Sequence, residues 1–148
     1  MGRKKTGAIN SKKKVYDGKT FQSNLEWYCY KELKNAGLKF GYESEVIELL
    51  QGFRYEGTYL KSTATKRDLI DKTGKKELPI TYKPDFVSHE HQFYIETKGY
   101  IPSQHTFTVR WKLFLKWLVD NDMGHYSIFL PKNQKQVDEI IKRIKGDD

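Results

Sequence analysis

Two short runs in this 148-residue chain hold the residue types that hydrolytic chemistry needs: Tyr82-Lys83-Pro84-Asp85 and Tyr94-Ile95-Glu96-Thr97-Lys98-Gly99. Side chains alternate along a strand, so Glu96 and Lys98 share one face and Ile95 and Thr97 the other. If the runs pair as a hairpin with its loop at 89–92, Ser88 faces Phe93 and Asp85 faces Glu96. Directly opposed residues have Cβ atoms about 4.5–5.5 Å apart. Two carboxylates that close repel each other unless something positive sits between them. A hard cation such as Mg2+ fits, because it is held by one or two carboxylates together with substrate phosphate and water. Lys98 on the same face would orient or deprotonate a water, or stabilise charge developing on phosphorus. The competing account makes Glu96 and Lys98 an exposed ion pair worth about 0–1 kcal/mol, and Asp85 a turn residue after proline. The apolar neighbours Phe86, Val87, Phe93 and Ile95 weigh against it, since charges on central strands are costly unless they act.

The elements that must position these groups are legible as patterns. Residues 1–19 lack periodicity and read as a disordered or extended basic arm. A helix is expected over 22–36, where Phe21, Leu25, Tyr28, Cys29, Leu33 and Ala36 recur near helical spacing and Gly37 suits the C-terminal cap. Ser23 and Glu26 have the S-x-x-E capping-box form, so Glu26 is explained equally well as a cap and as a catalytic acid. Strand-like runs follow at 39–42, 46–50 and 53–60. Residues 61–77 hold six basic and three acidic groups and read as an exposed loop or hairpin tip. Strands return at 80–87 and 92–98, with 88–91 as the turn. A helix over 106–121, a buried strand at 126–130 and a last helix capped by Asn133 complete the order. Val137, Ile140, Ile141 and Ile144 give that last helix its apolar face. The expectation is a mixed α/β fold, with a single domain over 20–148 following the arm.

Composition narrows the function classes. Lys plus Arg number 27 against 19 Asp plus Glu, a net charge of +8. Residues 1–20 supply +6 of it, through Arg3, Lys4, Lys5, Lys12, Lys13, Lys14 and Lys19 against Asp17. A basic arm on a near-neutral body is one way to hold phosphate backbones without regard to sequence; a solubilising or nuclear-targeting tail is the other reading. No apolar run reaches the roughly 18 residues of a membrane span, and no hydrophobic segment follows the basic N-terminus as in a secretory signal. The one cysteine, Cys29, suits a reducing compartment. A soluble, cytoplasmic protein is expected, with no membrane partner.

Pro84-Asp85, ten intervening residues and Glu96-Thr97-Lys98 resemble the PD-(D/E)xK nuclease motif. With Ser23-Asn24-Leu25-Glu26 upstream, and Tyr82-Lys83-Pro84-Asp85-Phe86 and Glu96-Thr97-Lys98-Gly99 in full, the chain is most similar to phage endonuclease I-type Holliday-junction resolvases. The resemblance runs over 21–99, with a longer 54–79 region than that family's. It implies a restriction-endonuclease-like core, a mixed central sheet flanked by helices. It also implies one or two Mg2+ ions, replaceable by Mn2+, and a homodimer acting on branched DNA in recombination or phage DNA processing. Carried over by position, Asp85, Glu96 and the main-chain carbonyl of Thr97 are metal ligands, Glu26 contacts the second metal or its water, and Lys98 is the catalytic lysine. Host cytoplasm follows if the chain is phage-encoded. The runner-up is a transposase-type or mismatch-type endonuclease of the same superfamily acting on duplex DNA. A catalytically dead DNA-binding module is the reading from another class.

Arm residues Arg3, Lys4, Lys5, Lys12, Lys13 and Lys14, loop residues Lys66 and Arg67, and helix residues Arg110 and Lys116 are the candidate DNA contacts. For Arg110 and Lys116 the plainer account is a solvated helix face. His89 and His91 read as a polar turn, since zinc would need partners that are not apparent. His105 is a weak phosphate candidate. Neither G-x-x-x-x-G-K-[ST] nor G-x-G-x-x-G occurs, so no nucleotide cofactor is expected.

Overall fold

The computed structural model describes residues 14–98 and 105–146. Arg3, Lys4, Lys5, Lys12 and Lys13, with the side chain of His105, lie outside the described residues. The described chain divides into two compact units, where the sequence suggests one domain. One comprises residues 14–45, 84–98 and 125–146; the other comprises Val46–Lys83 and His105–Gly124.

The first unit begins with β1 (Lys14–Tyr16) and β2 (Lys19–Phe21), an antiparallel hairpin. Its turn is Asp17-Gly18, with φ of 54° and 72°, the pair of positive values a two-residue hairpin loop requires. Of the disordered or extended arm expected over 1–19, residues 14–19 belong to this paired hairpin, because the Asp-Gly turn outweighs the basic composition around it, and residues 1–13 lie outside the described residues. α1 (Asn24–Asn35) follows, shorter than the expected 22–36. Ser23 is its N-cap, accepting from the Glu26 N–H at 3.1 Å, and Gly37 takes φ 71° beyond Ala36, where a side chain would be strained. β3 (Gly41–Tyr42) ends the N-terminal stretch.

In the second unit, β4 (Ile47–Leu50), β5 (Phe53–Arg54), β6 (Leu60–Lys61), β7 (Ile70–Asp71), β8 (Lys76–Glu77) and β9 (Ile80–Tyr82) nest as one antiparallel ribbon. β4 pairs with β9, β5 with β8 and β6 with β7. The segment 61–77, expected as an exposed loop or hairpin tip, is the end of this ribbon, with Lys61, Ile70–Asp71 and Lys76–Glu77 in its ladder and its tip at 62–69. The expected strand 53–60 is interrupted between Arg54 and Leu60. α2 (His105–Asp120) packs on β4 and β9 through buried Phe114 and Leu118, the Phe114 ring 4.8 Å from that of Tyr82.

β10 (Phe86–Ser88), β11 (Phe93–Ile95) and β12 (Ser127–Phe129) complete the first unit with α3 (Gln134–Lys145). The expected strand 80–87 is two strands, β9 and β10, with different partners; Pro84 between them has no N–H to give to a ladder. The sheet order is β12-β11-β10-β3, antiparallel except for the parallel β11–β12 pair. β12 is a half-exposed edge rather than the buried strand expected at 126–130. α1 and α3 pack together, joining Phe21, Cys29, Leu33, Phe86, Phe93, Ile95 and Val137 in one core. Full burial of side chains of this size stabilises by about 1.5–3 kcal/mol each. Asn133 caps α3, accepting from the Gln136 N–H at 2.9 Å. Among the described residues no helix is long and apolar enough to cross a membrane.

Candidate functional site

The sheet register brings three acids into one rank of the first unit. Phe86 pairs with Ile95 on one side and with Tyr42 on the other. One residue before it, Asp85 stands between Glu96 and Glu43. The Asp85 N–H donates to Glu96 Oε2 at 3.3 Å, and the Glu43 N–H donates to the Asp85 carbonyl at 2.8 Å. The opposition of Asp85 and Glu96 is the one the hairpin loop at 89–92 predicts. Glu43 takes φ 47°, a left-handed conformation uncommon for a residue other than glycine. The turn behind it needs Gly41, where a Cβ would lie 2.1 Å from Ser44 Oγ.

The first turn of α1 adds a fourth acid. One carboxylate oxygen each from Glu26, Glu43 and Asp85 lie within 4.8 Å of one another, the one such trio found among the described residues. Glu26 is 5% exposed and is held from two sides. The Tyr42 hydroxyl donates to its Oε1 at 2.5 Å, and the Gln22 N–H to its Oε2 at 3.2 Å. Glu26 thus accepts from the residue before the Ser23 N-cap rather than from Ser23 itself, as a full capping box would have it, while its other oxygen is bonded to Tyr42. Asp85 is oriented by Thr97, whose N–H and hydroxyl both donate to Oδ2, at 2.9 and 2.7 Å. Beyond β11, the Glu96 and Lys98 N–H groups donate to the Phe129 and Pro131 carbonyls, both at 3.0 Å. That continuation of the parallel pairing fixes both residues in the sheet, and Lys98 Nζ lies 3.8 Å from Glu96 Oε1.

The electrostatics are those of crowded carboxylates. Burial pushes the Glu26 carboxyl above its ordinary value; the Tyr42 bond opposes this, and the charges of Asp85 and Glu43 add to it. Burial raises Asp85 too, against the Thr97 bonds and the Lys98 charge. Tyr42 is pushed up by burial and by donating to Glu26, and so stays a donor. Cys29, buried in the core, is likewise raised by burial and remains a thiol, which makes it a poor metal ligand. The donor set is all oxygen and anionic, which suits a hard divalent cation rather than a thiolate- or imidazole-seeking one.

Residues 6–133 match a family described as a protein of unknown function, DUF1064. The chain belongs to the DUF1064 family. No curated protein and no solved structure matches it. The DUF1064 span includes Glu26, Glu43, Asp85, Glu96 and Lys98.

The structure gathers the expected site residues with one change of membership. Asp85 is the centre, and Glu26 joins it. Glu96 stands beside the three-oxygen group, bonded to Asp85 and Lys98, and Thr97 meets Asp85 through its N–H and hydroxyl. Glu43 was not legible in the sequence. Its pairing with Asp85 joins strands with no local turn to set their register, and its one local sign is a position between an aromatic strand and Ser44.

The candidate DNA contacts among the described residues fall in both units. Lys14 sits 4.3 Å above the Trp27 ring in the first unit. Lys66 and Arg67 are exposed at the ribbon tip of the second. Arg110, on α2, lines a cavity with Ile80 and Val109. Lys116 is paired with Asp120 one turn on, at 2.9 Å, as expected of a solvated helix face. His89 pairs with Glu45 and meets the Tyr126 hydroxyl at 2.8 Å. His91 stacks on Phe93 with ring centroids 6.5 Å apart.

Proposed function

We propose that this DUF1064 chain is a metal-dependent endonuclease of the PD-(D/E)xK kind that hydrolyses phosphodiester bonds in DNA, with four-way junctions as its preferred substrate. The observation that carries the reading is the rank Glu43–Asp85–Glu96 with Glu26 closing over it and Lys98 beside Glu96. The order of helix, antiparallel hairpin, parallel edge strand and helix in the first unit supports a restriction-endonuclease-like core. The basic composition supports a phosphate-bearing partner. Junction preference and a homodimer rest on the motif's likeness to the resolvases.

Glu26, Glu43 and Asp85 would hold Mg2+ or Mn2+, with Glu96 completing the acidic wall. A divalent cation bound there supplies a Lewis acid for the phosphoryl oxygen and an acidified water. Tyr42 and Thr97 act as positioning residues, fixing which carboxylate lone pairs remain available on Glu26 and Asp85. The Lys98 ammonium, held near the site by Glu96, stabilises negative charge on the attacked phosphate or passes a proton to and from water.

The test incubates the full chain with Mg2+ and three labelled DNAs: a four-way junction, a blunt duplex and a single strand. Paired symmetric cuts near the branch point are expected. Equal cutting of the duplex favours a duplex endonuclease, and no cutting with intact binding identifies a binding module. Lys98→Ala is expected to lower cleavage by about 10²-fold or more, the usual scale for removing one charge-stabilising donor, while junction binding persists.

The raised carboxyls give a second expectation. A group whose pKa is raised on folding stabilises fully below its unfolded value near pH 4, and that stabilisation is lost as pH rises through the raised value. The metal-free protein therefore loses this contribution from Glu26 and Asp85 on going from acid to neutral pH. A cation favours the ionised carboxylates, so the gain in melting temperature from 10 mM MgCl2 grows over the same interval. At neutral pH it corresponds to about 1.4 kcal/mol for a dissociation constant of about 1 mM. A gain equal at pH 4.5 and pH 7.5 would contradict carboxylate ligation.

A further inference from the structure

The ribbon of the second unit exposes aromatic rings that packing does not explain. Phe53 is 49% and Tyr55 55% exposed, and with Thr58, Tyr59 and Glu77 they line an open cavity of about 500 Å3. The Tyr55 and Tyr59 rings meet edge to face, their centroids 6.5 Å apart. Solvent-facing rings clustered around a concavity are a mark of an interaction site.

This cluster is held in place. The Tyr55 carbonyl accepts from the Gly74 N–H at 3.2 Å, and the Tyr59 carbonyl from the Lys72 N–H at 2.7 Å. The Tyr59 N–H donates to Thr73 Oγ1 at 2.9 Å, and the Arg54 guanidinium to the Gly74 carbonyl at 2.9 Å. The Tyr55 ring lies against Gly57, where a Cβ would come within 2.9 Å of it. Glycine at 57 is therefore what lets the ring lie there.

Charge identifies the occupant. Residues 53–77 carry seven basic and four acidic groups, with exposed Lys61, Lys75 and Lys76 along the ribbon and exposed Lys66 and Arg67 at its tip. An anionic polymer with flat faces fits this combination; an apolar protein surface does not. Base–aromatic stacking combined with a cationic track is how single-stranded nucleic acid is held without sequence preference. The Glu77 carboxylate at the cavity wall can accept from an exocyclic base amine.

We propose that this aromatic cavity is a docking site for an unpaired DNA base, with the ribbon's lysines and arginine along the adjoining backbone. The inference rests on DNA being the partner, as in the nuclease reading, but not on cleavage. It places single-strand recognition in the second unit, with its own side chains.

The experiment measures binding of a fluorescein-labelled 20-nucleotide single strand, and of the blunt duplex of the same sequence, to the full chain in EDTA. The double variant Tyr55→Ala/Tyr59→Ala is expected to weaken single-strand binding about tenfold or more, the scale of losing stacked bases, and to leave duplex binding within threefold. Tyr55→Phe/Tyr59→Phe keeps the stacking faces and is expected to bind within twofold of wild type. Gly57→Ala removes no group of the cavity but displaces the Tyr55 ring, and is expected to weaken single-strand binding severalfold. Equal loss on single strand and duplex overturns the proposal, as does no loss in the alanine pair. A change of oligomeric state in the alanine pair by sedimentation also overturns it, marking the rings as a protein interface. If the alanine pair melts abnormally, the Gly57→Ala result decides, and unchanged single-strand binding there is fatal. Because no metal is present, failure of the nuclease reading in the cleavage assay leaves this result standing.

Discussion

Asp85→Asn is expected to abolish DNA cleavage, by about 10³-fold or more, and at the same time to make the metal-free protein more stable. Both effects come from the same atoms. Asp85 lies between Glu43 and Glu96 in the sheet rank, with Glu26 near it, and burial already pushes its carboxyl toward the protonated form. Asparagine keeps one oxygen to accept from the Thr97 N–H and hydroxyl, so the local backbone keeps its anchor. The change removes one negative charge from a crowded, poorly solvated group. Relief of that kind typically adds about 0.5–2 kcal/mol, the usual magnitude when a residue strained for function is neutralised. For a chain of this length it corresponds to a few degrees in melting temperature. On the proposed nuclease reading the chemical step is expected to move the other way: without the central carboxylate the site would lose several kcal/mol of charge stabilisation, and each 1.36 kcal/mol is about tenfold in rate. Rate and melting curve should be measured on the same preparation at pH 7 without and with Mg2+. A variant that cuts as fast as wild type, or that melts well below it without metal, would refute the role assigned to Asp85.

Glu43→Gln should have the second largest effect, at a residue with no motif to recommend it. Glu43 contributes one of the three clustered oxygens and bonds Asp85 through its backbone N–H. The side-chain amide leaves that backbone bond intact but supplies a neutral donor atom in place of an anionic one. Divalent-cation affinity is expected to fall about 10–100-fold, by comparison with the loss of other groups that shape a metal site. Cleavage at limiting Mg2+ should fall with it and partly recover as Mg2+ is raised. Titration calorimetry with Mn2+ reads the affinity directly. Glu45→Gln is the matched control, two residues on. Glu45 is engaged with His89 and the Tyr94 hydroxyl, outside the acid trio, so its substitution should leave Mn2+ affinity within about twofold. If both substitutions behave alike, the geometry around Asp85 is not that of a metal centre.

The two predictions differ in where their warrant comes from. Asp85 and Glu96 could be paired from the sequence because a four-residue loop joins their strands, and a short loop fixes which residues oppose one another. Glu26 was visible as a capping-box acid, though its second oxygen's bond to Tyr42 was not. Helix α3 was legible to its cap, since Asn133 and the spacing of Val137, Ile140, Ile141 and Ile144 are local signals. The strands were less so. Pro84 divides what reads as one strand, and β6–β7 and β5–β8 continue a ladder into a segment whose composition reads as a loop or hairpin tip without saying which. The Asp17-Gly18 hairpin was hidden by surrounding lysines.

By itself, then, the sequence determined the helices, the hairpin that opposes Asp85 to Glu96, the basic balance and the residue types available for chemistry. These follow from caps, turns and periodicity, which act within a few residues of one another. Only the tertiary structure decided that Glu43 completes the acid rank, that β12 is a parallel edge strand which with Pro131 beyond it holds Glu96 and Lys98, and that the aromatic residues of the ribbon surround an open cavity. Each of those depends on pairing between segments far apart in the chain, where no turn sets the register and the burial of apolar faces against one another selects it instead.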